Sequence, residues 1–185
     1  DWAGPDWQTK GPRPGINLYT TSVLLLDPDT GALKAFHQEI PHDAWDYDSA
    51  PDGFYFVEQG GKKYVVHPSK GGHNYIYDRQ GKVVNVYKAI DNITFAKFKP
   101  NGEIYDRMDM REGYHENLCP LINGGLSYNS GTYNPNTKLF YKVGYEWCMT
   151  LTVQKVAPVT EPVAQLYIGA DFKWAHPKGG KMHGH

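Results

Sequence analysis

Short apolar runs alternate with polar positions along most of the chain, and each run is closed by Gly, Pro, Asn or Asp. This is the period-2 pattern of half-buried β-strands. Residues 18–26 read as a strand, Asp27-Pro28-Asp29-Thr30-Gly31 as a tight turn, and residues 32–39 as the returning strand. In that turn Pro fixes φ, Asp caps the local backbone, and Gly takes a positive φ. Residues 54–57 and 62–67 predict a hairpin across Gly60-Gly61. Residues 74–77 and 82–87 predict another around Asp78-Arg79-Gln80-Gly81. Residues 131–133 and 139–143 flank the turn Asn134-Pro135-Asn136-Thr137, and residues 148–153 and 163–168 read as further strands. Residues 1–17, rich in Gly and Pro, read as an irregular loop. Residues 89–119 read as a long polar excursion with Asn101-Gly102 as its turn. No segment sustains apolar spacing of three and four, so no helix is expected.

The turn at Asp27 recurs in weaker form at Asp78 and at Asn134, each time between two strands. A strand–turn–strand unit repeating about every 50 residues predicts a β-propeller of four-stranded blades. At roughly 40–50 residues per blade, the chain supplies about four. The fold class is therefore all-β, and residues 1–185 are expected to be one partial propeller domain.

Length and charge narrow the picture further. A chain of 185 residues fits one domain or part of a larger one, and a net charge of −1 gives no sign of a nucleic-acid or membrane partner. No run approaches the ~20 apolar residues of a membrane span. The chain opens on Asp1-Trp2-Ala3-Gly4-Pro5 and closes on Lys181-Met182-His183-Gly184-His185, which reads as the interior of a longer protein.

The densest chemistry lies in Pro41-His42-Asp43-Ala44-Trp45-Asp46-Tyr47-Asp48. In an extended segment Asp46 and Asp48 would share one face, with Tyr47 on the other. A lone Asp-x-Asp is usually a solvated turn. A Trp beside the pair argues instead for a walled site, where two carboxylates need a cation or a shared proton. Cys119 and Cys148 are consistent with a disulfide or with two buried thiols, and they lack zinc-site spacing. His42 and His67 read as structural, Lys62-Lys63 as a hairpin flank, and Asn92-Ile93-Thr94 as an incidental sequon. Gly71-Gly72 is not followed by a helix and is not a phosphate loop.

With these elements in place, the chain resembles the quinoprotein alcohol dehydrogenases, eight-bladed propellers that hold pyrroloquinoline quinone (PQQ) at their centre. The resemblance rests on Arg13-Pro14-Gly15-Ile16-Asn17-Leu18-Tyr19-Thr20, on Leu26 to Gly31, on Pro41 to Asp48, and on His67-Pro68-Ser69-Lys70-Gly71-Gly72. It continues in Cys119-Pro120, the stretch from Gly124-Gly125 to Pro135, Glu146-Trp147-Cys148-Met149 and Tyr167-Ile168-Gly169-Ala170.

The resemblance implies that Asp46 is the catalytic base and a metal ligand. Asp48 falls at the carboxylate of the branch that uses a lanthanide ion, where calcium-using relatives carry an uncharged residue. Lys70 falls at the basic residue beside the reactive quinone edge. Ser127 falls near the quinone, where many relatives carry Asn, and Cys119 and Cys148 fall at a disulfide. The implied activity is oxidation of a small alcohol, a primary alcohol or polyol, in the periplasm, with PQQ and a lanthanide (or Ca²⁺) as cofactors and cytochrome c as acceptor. A homodimer is compatible with this reading. The resemblance departs at Trp2 or Ala3, where a metal-ligand Asn is expected, and at Ala35-Phe36, which replaces a blade-locking Trp. The competing readings are a non-catalytic propeller used as a binding or assembly scaffold, and a piece of the enzyme inactive by itself.

Overall fold

The structure, a computed structural model, describes residues 14–48, 53–108, 110–155 and 169–185. Fifteen strands and no helix occur among the described residues. β1 (Ser22–Leu26) and β2 (Leu33–Gln38) form an antiparallel hairpin. β3 (Tyr55–Gln59), β4 (Lys62–Ser69), β5 (His73–Tyr77) and β6 (Val83–Lys88) form a four-stranded antiparallel sheet in sequence order, the blade that the pattern predicts. β7 (Lys97–Phe98) and β8 (Ile104–Tyr105) make a short hairpin. After β9 (Gly113–Leu118), β10 (Thr132–Asn134) pairs with β11 (Leu139–Tyr141). β12 (Tyr145–Glu146), β13 (Cys148–Val153), β14 (Ala170–Ala175) and β15 (His183–Gly184) complete the set. β13 lies between β14 and β9 in a three-stranded sheet, and β12 pairs with β15.

The three recurrent turns share one device. Asp27 Oδ1 accepts from the backbone N–H groups of Asp29 and Thr30. Asp78 Oδ1 does the same for Gln80 and Lys82, and Asn134 Oδ1 for Asn136 and Thr137. Each side chain thus closes its own turn, which is why Asp or Asn stands there. Gly60 and Gly61 have φ of 58° and 73°, as a two-residue hairpin with the strands' own twist requires.

Three expectations need correction. The strand expected from residue 18 begins at Ser22, because Thr20 N–H and Oγ1 both bond back to Asn17 O and close a turn. The polar excursion 89–119 contains β7, β8 and β9. β9 escapes the pattern because its alternation runs through polar residues, with His115 and Asn117 half-buried between exposed Tyr114 and Glu116. β14 was not expected at all, while the strand expected at 163–168 lies outside the described residues.

The main core joins Ile40, Trp45, Tyr47, Phe95, Leu118, Leu121, Met149 and Leu151. It therefore brings together the Pro41–Asp48 stretch, the 95–96 segment, β9 and β13. Each fully buried side chain of this size contributes about 1.5–3 kcal/mol. The loop carrying the two aspartates is thus pinned by its own aromatics. A second, smaller cluster of Tyr75, Tyr77 and Val83 fills the space between the β1–β2 hairpin and the blade.

Candidate functional site

Residues 41–48 form turns and bends rather than a strand, which corrects the extended geometry expected of them. His42 and Asp46 take φ of +44° and +64°, a region costly for residues other than Gly and common at functional sites. The alternation nevertheless holds at its end. Tyr47 is buried and donates to Pro120 O, while Asp46 and Asp48 lie on the open side, each about a third exposed (37% and 34%).

Several contacts over-determine this loop. The Arg107 guanidinium donates to the carbonyls of Pro41 and His42 and lies 4.4 Å above the Trp45 ring. Trp45 packs on Phe95 at 4.9 Å, and Phe95 on Tyr47 at 4.8 Å. His42 Nδ1 lies 2.7 Å from Gly15 O and 2.9 Å from Asn17 Nδ2, donating to the one or accepting from the other according to its tautomer, which makes it a structural histidine. Burial holds Arg107 down to about 10, still cationic at neutral pH.

Asp43, fully buried, accepts the Trp45 N–H at 2.9 Å through Oδ1. Its Oδ2 meets no donor, and burial, with Asp46 close by, pushes its carboxyl up to about 7.

Lys70 follows β4 in the turn closed by Gly72 N–H to Ser69 O. Its stem is buried, and its ammonium reaches Asp46 Oδ2 at 3.2 Å and Asp48 Oδ1 at 2.8 Å. Residues 22 and 24 positions apart in the chain are therefore joined in one cluster. Ser127 is buried, and its carbonyl accepts from Lys142 Nζ at 2.7 Å. It stands two residues beyond Gly125, whose N–H donates to Lys70 O at 2.8 Å. Cys119, just after β9, and Cys148, at the start of β13, form a disulfide. His67 is held by Glu39, Nδ1 to Oε1 at 2.8 Å, and Tyr77 donates to the same oxygen at 2.8 Å.

Two hard carboxylate oxygens beside one cation suit a metal ion, which prefers oxygen ligands when it is calcium-like. Among the described residues no group of three His, Cys, Asp or Glu side chains is arranged to hold one. Asp46 and Asp48 fit as part of a coordination shell, and Lys70 fits as a donor to an anionic or carbonyl oxygen of a cofactor. The position of Trp2 and Ala3 lies outside the described residues.

Sequence reasoning missed Arg107, Glu39 and Glu146. Glu146, buried in β12, accepts from Asp91 N–H at 2.5 Å, Asn92 N–H at 3.0 Å and Asn92 Nδ2 at 2.6 Å. Burial pushes its pKa up, but these donors outweigh burial and hold it below the usual 4.5.

Comparison with known proteins adds the following. A family model for the PQQ glucose/ethanol/alcohol dehydrogenase β-propeller domain matches residues 2–88. The quinoprotein alcohol dehydrogenase PedH of Pseudomonas putida is 32% identical over 158 residues, 78% of this chain and 27% of PedH. Methanol dehydrogenase [cytochrome c] subunit 1 of Methylorubrum extorquens is 29% identical over 188 residues, 92% of this chain and 28% of that protein. Among solved structures, a europium-containing methanol dehydrogenase superposes with a TM-score of 0.74 at 23% identity, over 86% of this chain and 28% of that one. The last likeness establishes the propeller fold. The chain spans less than a third of the length of each of these proteins.

Proposed function

The family model and the relatives support membership of this chain in the PQQ-dependent alcohol and methanol dehydrogenases, and on that premise we propose that it is the part of such an enzyme that carries its base and two of its metal ligands. The substrate is a primary alcohol or polyol, and the acceptor beyond the cofactor is a cytochrome c, as the name of the methanol dehydrogenase relative carries. The periplasm is the compartment in which the Cys119–Cys148 disulfide would persist. PQQ, when bound, supplies the hydride acceptor, and the metal supplies a Lewis acid.

The rest falls to this chain's residues. Asp46 takes the hydroxyl proton of the alcohol on a carboxylate oxygen. Lys70 presents its ammonium to the carbonyl edge of the quinone, where negative charge develops. Asp46 and Asp48 would supply two of the metal's ligands, and Ser127 would lie beside the cofactor. Trp45 and Tyr47, both buried, keep water from the back of the carboxylates.

The observation that carries this reading is the convergence of Lys70 on both aspartates at 3.2 and 2.8 Å. A scaffold propeller has no use for two carboxylates on a strained loop held to a lysine from another element.

A second carboxylate beside Asp46 favours a trivalent ion over a divalent one, because two like charges need a larger opposing charge. The test uses the protein as the organism makes it, stripped of metal and supplied with PQQ. Lanthanum is expected to activate alcohol-dependent dye reduction more than calcium does, and Asp48→Ala to reverse or erase that order. Equal activation of wild type by calcium would remove Asp48 from metal selection.

A further inference from the structure

The Lys70 ammonium is held by two partly exposed carboxylates, yet its stem and backbone are set by a different element. Gly124 and Gly125 lie directly against it. Gly124 has φ of +89°, and a Cβ there would stand 2.2 Å from Lys70 Cγ and 2.7 Å from Lys70 O. A Cβ on Gly125 would stand 3.1 Å from Gly72 Cα and 2.3 Å from Ile90 Cδ1. Backbone thus approaches backbone at a distance only glycine permits. Gly125 N–H donates to Lys70 O at 2.8 Å, and Gly125 O accepts from Tyr145 N–H at 2.8 Å.

The free end of this turn is tied by one side chain. Trp147 Nε1–H donates to Gly124 O at 2.7 Å. Trp147 is itself well placed to hold. Its carbonyl accepts from Leu121 N–H at 3.1 Å, and Gly124 N–H returns to Leu121 O at 2.7 Å. Its ring stacks on Tyr145 at 4.9 Å and meets Trp174 edge-on at 5.6 Å. Its chain neighbours are buried Glu146 and disulfide-bonded Cys148.

We infer that the Gly124–Gly125 turn, latched by the Trp147 indole, positions Lys70 against Asp46 and Asp48. Trp147 is a positioning residue: it touches Gly124, and Gly124 touches Lys70. The catalytic meaning of this latch rests on the role proposed above for Lys70, but its geometry does not, and the two are tested separately.

The experiment is competitive acetylation of the native protein, with the rate at Lys70 read by mass spectrometry against exposed Lys34 and Lys99. Trp147→Phe keeps the ring and removes the N–H. It is expected to raise the Lys70 rate roughly 3- to 10-fold, the equilibrium weight of one hydrogen bond, with Lys34 and Lys99 unchanged. A purely structural role would raise all lysines together or lower only the melting temperature, and either result overturns the inference, as does an unchanged Lys70 rate in a folded variant. Should Trp147→Phe not fold, Gly124→Ala decides. Its methyl must displace the Lys70 stem, so faster labelling supports the latch and an unchanged rate in folded protein refutes it. Kinetics on the same variants separate the two claims. A lower kcat at unchanged KM joins the latch to catalysis, whereas altered labelling in a protein that shows no PQQ-linked turnover leaves the latch standing and sinks the function.

Discussion

Replacing Glu146 with Ala isolates the weight of one buried carboxylate. The side chain is 1% exposed and accepts three hydrogen bonds, from both backbone N–H and side-chain amide donors of the Asp91-Asn92 loop. A hydrogen bond to a charged group is worth about 1.5–3 kcal/mol, and an orphaned buried donor costs a similar amount. The three donors share one acceptor group and their effects are not additive, so the expected loss for Glu146→Ala is about 3–5 kcal/mol. Glu146→Gln keeps one acceptor oxygen and turns an NH₂ toward a donor, for an expected loss of about 1–3 kcal/mol.

Urea unfolding at neutral pH reads both, with the slope unchanged if only the native contacts are lost. The pH dependence supplies an internal control. The folded pKa of Glu146 lies below its unfolded value of 4.5. Its stabilisation is therefore complete above that value and is lost as pH falls through the lower folded one. The gap between wild type and Glu146→Ala should shrink in acid. A loss below about 1 kcal/mol at pH 7, or a gap independent of pH, would refute the claim that this carboxylate anchors the 91–92 loop.

Two further perturbations follow from buried groups. His73 is 4% exposed, and burial, with Lys88 adding to it, holds its pKa from 6.5 down to about 3. The neutral ring thus supports the fold fully above pH 6.5 and loses that support as pH falls, by about 2–3 kcal/mol between pH 7 and 4.5. His73→Asn should flatten this slope in urea unfolding, and an unchanged slope counts against it. Cys119 and Cys148 are 1% and 0% exposed. Intact mass should therefore be two hydrogens light without added oxidant, and the double Ser variant should lose about 3–4 kcal/mol. Free thiols in the folded protein would contradict the bond.

What the sequence disclosed and what it hid divide along a physical line. Hairpins closed within a few residues were legible, since Asp27, Asp78 and Asn134 cap their own turns with their own side chains. β9 was not, because its partner is β13, over thirty residues away, and before Leu118 its inward positions are His115 and Asn117 rather than aliphatics. Asp46 and Asp48 stood out from the residues themselves as a carboxylate pair beside a Trp, whereas Lys70 entered only through the family resemblance. Their meeting point is set by tertiary packing of Trp45 and Tyr47 on Phe95, and the local backbone there is not the extended one that alternation assumes. Arg107 left no local signal: the carbonyls it holds are those of Pro41 and His42, and a lone Arg in a polar stretch reads as surface. Glu146 stands within the Glu146-Trp147-Cys148-Met149 run, but its three donors come from a distant loop that no spacing rule connects to it.

Asp46 is proposed as the base of a PQQ-linked oxidation. The most direct measurement is anaerobic reduction of bound PQQ by a primary alcohol, followed by absorbance in the intact protein loaded with metal, in wild type and in Asp46→Asn. Wild type should reduce the cofactor in a single turnover. Asp46→Asn should bind PQQ with an unchanged spectrum and reduce it at least ~10²-fold more slowly, the usual weight of a general base. Reduction at the wild-type rate in Asp46→Asn, or no alcohol-dependent reduction in wild type, would contradict the account.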